Sequence, residues 1–330
     1  MYNLQPFINE VQKILSAHYL GEAGKYAQWV KQNEAGKRNL GATPYGCAIA
    51  ANILYTIHAM PADFAEREQF VKVLQSFQNP ENGLFENPGN YASHTTAFLS
   101  GALELFDARP LYPAKGLADY QTREGLFSFM DGIDWAREPW LGAHLGAGIY
   151  GSMLLTESAS NDWEDYYFEW LDKNADPLTG LWRVGALEGA PYFHYLAAAF
   201  HYVFNYEYAK RPLPYPGELL NTCINAYYDG ACIDFAKEAG WADIDFTYLL
   251  ARVQRRAGVK MKETRKILTE IAEGLIGQLL SINASENEIF DDTNTLFAVV
   301  SALAVLQDAL PGYIRTEKPL RLVLDRRPFI

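Results

Sequence analysis

The feature that most limits what this chain can fold into is repetition. The segments PYGCAIAANILYTI (44–57), SHTTAFLSGALELF (93–106), AHLGAGIYGSMLLT (143–156), FHYLAAAFHYVFNY (193–206), IDFTYLLARVQRRA (244–257) and TNTLFAVVSALAVL (293–306) align without gaps. Their spacing is roughly fifty residues, a period that marks stacked structural units. Each segment reads as an apolar helix rich in Ala, Gly and Ser. The second column holds Tyr45, His94, His144, His194, Asp245 and Asn294, so half of the 6 histidines fall in it.

Amphipathic helices lie between these segments, at 5–19, 62–78, 161–175, 216–228 and 262–282. Their apolar residues recur at three and four, with Glu, Lys and Asp between them, so each has one wet face. A helix that is apolar all round is a buried one. The alternation predicts an all-α fold, an α/α toroid of six helical hairpins. The repeat helices form its inner ring and the amphipathic helices its outer ring, in a single domain over residues 1–330. The stretches QNPENGLF (78–85), QTREGLF (121–127), DPLTGLW (176–182) and SENEIF (285–290) read as repeated links from outer to inner helices. Gly there serves the turn, and the aromatic behind it plugs between hairpins. RPLPYPGE (211–218) reads as a rigid connector.

The net charge of −12 disfavours phosphate backbones and anionic membranes, which call for clustered Lys and Arg. Neither nucleic acid nor membrane insertion is expected, since no apolar run reaches the ~18 residues of a spanning helix. The N-terminus lacks an apolar signal core. Cys47, Cys223 and Cys232 are widely spaced and form no zinc or redox motif. Buried thiols in a reducing cytoplasm are the expected state. The basic segment 317–330 reads either as a strap on the outer surface or as a contact for a partner.

The stretch LQSFQNPENGLFENPGNYASHTTAFLSGALEL (74–105) resembles the repeat of the terpenoid cyclases and the protein prenyltransferase β-subunits. That repeat has a Gln, a Gly-aromatic turn, then a helix opening on small residues. The resemblance implies the toroid over nearly the whole chain. For prenyltransferases it also implies a zinc site, whose nearest matches here are Asp229 and Cys232, and a partner subunit. For class II cyclases it implies an acidic motif, of which Asp243 and Asp245 keep two positions. DPLTGLW (176–182) is similar to a turn of toroidal glycoside hydrolases.

Helix starts expose unsatisfied N–H groups and the positive end of the dipole. Six equivalent starts ring one mouth of a central cavity. The polar column is read in two ways: as caps and packing residues of the individual helices, or as a functional mouth. In the second reading Asp245 is the acid or base, with Asp243 or Asp292 beside it, and like charges brought close raise one pKa. His144 shares in the acid–base work. Tyr45, His94, His194, Asn294, Tyr192, Trp140 and Trp241 bind substrate. The dipole keeps the histidines neutral. Neutral imidazoles can move protons or hold a divalent metal such as zinc, here through His94, His144 and His194. His18 and His58 read as ordinary helix residues. His201, seven residues after His194 and so on the same helix face, reads either as a residue deeper in the cavity or, given its apolar neighbours, as a packing residue.

Three functions follow. One is an enzyme acting on a small molecule in the cavity by Asp/His acid–base chemistry, as the cyclase/prenyltransferase resemblance implies. A second is a glycoside hydrolase or lyase acting on an oligosaccharide through paired carboxylates. A third is a non-catalytic ligand-binding toroid.

Overall fold

The computed structural model describes residues 1–183, 189–231 and 239–330; Cys232 lies outside them. The chain is all-α, with one short parallel pairing of β1 (Tyr2–Asn3) with β2 (Ile314–Arg315). No described helix is long and apolar enough to cross a membrane. Cys47 and Cys223 are buried.

The apolar repeats form α2 (Pro44–Thr56), α4 (Ala92–Glu104), α6 (Pro139–Leu155), α8 (Tyr192–Ala209), α10 (Trp241–Ala257) and α12 (Thr293–Ala309). Each packs against the next in this series, and α12 packs back against α2. The cycle is closed at its seam by residues 26–30, which run along the entry to α12. Val30 N–H donates to the Asp291 carbonyl, and Thr293 N–H donates to the Gln28 carbonyl.

Six further helices carry the amphipathic sequences. They are α1 (Gln5–His18), α3 (Phe64–Ser76), α5 (Arg123–Gly132), α7 (Trp163–Asn174), α9 (Pro216–Tyr228) and α11 (Met261–Ser281). Helix α5 corrects the sequence reading, which took 121–127 as a link. Thr122 caps it by accepting from Gly125 N–H, and Leu126 and Met130, four apart, turn inward. Gly125 therefore sits inside a helical turn.

The links at 78–85 and 176–182 share one construction. Gln78 bridges to Phe85 and Ala175 to Trp182, around Gly83 and Gly180 at φ +73° and +71°. Phe85 and Trp182 are buried between hairpins.

The segment 317–330 lies on the outside, as one expectation had it, only over residues 317–321, and then turns inward. Leu322, Val323, Leu324, Arg327, Phe329 and Ile330 are all buried, and a 3₁₀ turn at Val323–Asp325 packs on α2 and α8. Most of its buried residues are apolar, and their burial drives the segment inward. Arg326 anchors it from outside, pairing with the Asp107 carboxylate and the Glu104 carbonyl.

Candidate functional site

A cavity lined by Tyr45, Asn90, His94, Phe98, Trp140, His144, His201, Trp241, Asp245, Asn294 and Ile330 has a volume of about 200 Å³. That is room for a small ligand, below the usual range for drug-sized ones. Every one of the six repeat helices contributes to it. Asn90 is exposed and marks the mouth, whereas Ile330 is buried and belongs to the interior.

Asp245 carries the most unusual environment. It is 1% exposed, and neither carboxylate oxygen has a hydrogen-bond partner among the described residues. Burial raises its pKa well above the usual carboxylate range, and the nearby Asp243 adds to the rise. Such surroundings favour the neutral carboxyl over the ionised one. Asp243 is equally buried, but its Oδ2 accepts from Gly240 N–H at 2.7 Å. Burial pushes it up to about 7, while the bond from Gly240 pulls the other way. Asp243 therefore caps α10 and does not line the cavity.

Three imidazoles, from α4, α6 and α8, share the lining with Asp245. The ring centroids of His94 and His144 are 5.0 Å apart, and those of His144 and His201 are 4.4 Å apart. All three are held neutral. Burial pushes His144 down to about 4. It lowers His94 and His201 well below the ordinary value, with like-charge repulsion from His144 adding to both. The sequence reading gave the helix dipole as the cause of neutrality; loss of solvent is the larger one. Helix α6 starts at Pro139, so His144 sits more than a turn inside it, beyond the first turn where the dipole acts most.

A hydrogen bond fixes one of the tautomers. His201 Nδ1–H donates to the Ala197 carbonyl at 2.7 Å, which leaves the Nε2 lone pair free to accept. The Tyr45 hydroxyl shares a hydrogen bond with His94 Nδ1, and burial keeps the phenol protonated by raising its pKa.

Of the sequence candidates, the structure brings Tyr45, His94, His144, Trp140, Trp241, Asp245 and Asn294 to one cavity. It leaves out His194, Tyr192, Asp243 and Asp292. The His194 ring lies 5.4 Å from Trp140, tilted by 59°, and Trp140 also meets Phe193 edge-on at 5.8 Å and His144 edge-on at 6.3 Å. The indole thus contacts both imidazoles. Among the described residues no three His, Cys, Asp or Glu side chains are grouped as metal ligands, so the set His94, His144 and His194 is not assembled. Tyr192 begins α8 outside the lining. Asp292 is the N-cap of α12, accepting from Asn294 N–H at 2.9 Å and from Gln28 Nε2 at 3.4 Å. Its neighbour Asp291 pairs with Lys31.

His201 lines the cavity, the deeper of the two places that its spacing of seven residues after His194 allows. Seven residues is about 10 Å along the axis, enough to pass beneath Trp140. Phe98, one turn after His94, was legible in the same way. Nothing local pointed to Ile330. His18 is buried and bonds the carbonyls of Ala27 and Phe290, which makes it a clasp between the first and last units. His58 bonds the Pro319 carbonyl.

Compared with protein-family profiles, curated proteins and solved structures, the chain matches none. The likeness of 74–105 to cyclase and prenyltransferase repeats therefore rests on those residues alone.

Proposed function

We propose that this chain is a six-hairpin α/α toroid, and that its cavity is an active site in which Asp245 donates a proton to an uncharged, mainly apolar substrate. The observation that carries the reading is the Asp245 carboxyl, buried and without a hydrogen-bond partner among the described residues, in a cavity walled by Trp140, Trp241, Tyr45 and Phe98. The closed cycle of helix contacts supports the toroid. A buried acid of raised pKa is a competent general acid. Proton transfer to an alkene or epoxide leaves a cation, and aromatic faces stabilise cations. The neutral imidazoles of His144 and His201 are placed to take a proton back. This is the chemistry that the cyclase resemblance implies.

The lining also weighs against the alternatives. Among the described residues it contains no Lys or Arg, which weighs against the diphosphate of a prenyl donor. Among the same residues its one side-chain carboxyl is Asp245, whereas glycoside hydrolysis needs two flanking the scissile bond. A non-catalytic toroid would bind the same uncharged ligands without turning them over.

The test is incubation with neutral terpene alkenes and epoxides in D2O, with products followed by mass spectrometry. From an alkene wild type should place one carbon-bound deuterium in the product, whereas an epoxide's deuteron ends on an exchangeable hydroxyl and its turnover is read from the product itself; with either, Asp245→Asn should lose activity by the 10²-fold or more expected for a general acid. Equal turnover by Asp245→Asn would remove it as the acid. Saturable binding without turnover would leave the ligand-binding toroid.

A further inference from the structure

The inner helices do not close the cavity themselves. At the depth of its floor α4 carries Gly101 and α6 carries Gly151, each seven residues beyond the column histidine of its helix and so on the same face. The space this leaves is filled by residues 327–330. A Cβ at position 101 would lie 2.7 Å from Arg327 Nη1, and one at 151 would lie 3.0 Å from Phe329 Cβ. Phe329 is fully buried, edge-on to His94 at 4.9 Å and to Phe204 at 5.9 Å. The Pro328 carbonyl accepts from Asn205 Nδ2 at 2.9 Å. The Arg327 guanidinium lies 5.5 Å from the centroid of Phe98, itself a lining residue. Held at these points, the segment brings Ile330 into the cavity lining.

We propose that Ile330 is the floor of the cavity and a specificity-determining residue, selecting ligands by the length of the apolar end that points away from Asp245 and Asn294. The proposal rests on the reading of the cavity as a ligand site. The lining defines the ligand class. It offers Asn90, Asn294, Asp245 and neutral imidazoles to a polar uncharged head, and Phe98 and Ile330 to an aliphatic end. A neutral amphiphile with a straight chain fits both.

Straight-chain primary alcohols of increasing length are the probe, with binding read from the fluorescence of the lining residues Trp140 and Trp241. In wild type, affinity should rise by about fourfold per methylene and then break where the chain meets Ile330. Ile330→Ala removes three side-chain carbons and should move the break to longer alcohols by roughly two carbons, with the slope below it unchanged. Ile330→Val, which perturbs folding least, should move it less. Leu322→Ala, buried in the same segment but outside the lining, should not move it. A break at the same length in Ile330→Ala, or an equal shift in Leu322→Ala, would overturn the assignment of the floor. Absence of saturable binding in wild type would instead overturn the ligand-site reading beneath it.

Discussion

Asp245 and His144 face one cavity, and burial holds both uncharged, but the consequences for stability run in opposite directions. The pKa of Asp245 is raised, so the stability linked to it is present at low pH and is lost as pH rises above the ordinary carboxylate value. His144 is lowered from 6.5 to about 4. In that window the unfolded chain takes up a proton that the folded chain refuses, so stability falls as pH drops from 6.5 toward 4. Urea titrations of His144→Gln across this range should show a shallower loss than wild type, by about 1–3 kcal/mol at the acid end. The lower part of that range allows for the ring being only half-buried against a cavity that water can enter. Identical slopes would mean that His144 titrates normally and that the imidazole cluster is wetter than described.

At the level of single helices, the polar column divides by what each side chain does for its own helix. Asp243 and Asp292 bond backbone N–H groups at the starts of α10 and α12, as Asp does at N-termini. Removing the cap in Asp292→Ala should cost about 1 kcal/mol and lower the melting temperature by a few degrees, with alcohol binding in the cavity unchanged. A loss of binding would instead place Asp292 in the site. Asp245, two residues past Asp243, has turned about 200° around α10 and so points to the cavity. Sequence spacing aligned the segments correctly but could not say which polar residue of a helix start turns back on the backbone and which turns inward. His194 shows the same limit. It holds the column position on α8, yet Trp140 displaces it, and His201 lines the cavity two turns further on. Helix α5 escaped notice because QTREGLF shares its Gly-aromatic pair with true links, although Thr122 was available as a cap.

For the molecule as a whole, the repeat was legible because one buried face recurs every unit, and periodicity reports burial directly. The path of residues 317–330 was not. Its partners Gly101, Gly151, Asn205 and Phe98 lie more than a hundred residues away, and no local pattern encodes contacts of that range. Gly101 and Gly151 were visible only as small residues in apolar helices, and their function as space for Arg327 and Phe329 exists only once the ring is formed. The convergence of distant helix starts on one opening is what makes a buried acid from Asp245. The most direct test is therefore the infrared carbonyl band of that carboxyl, isolated as the difference between wild type and Asp245→Asn and followed with pH. A protonated carboxyl band present at pH 7 and absent from the variant is the predicted result. An ionised Asp245 at pH 7, titrating near the ordinary carboxylate value, would contradict the site and the function built on it.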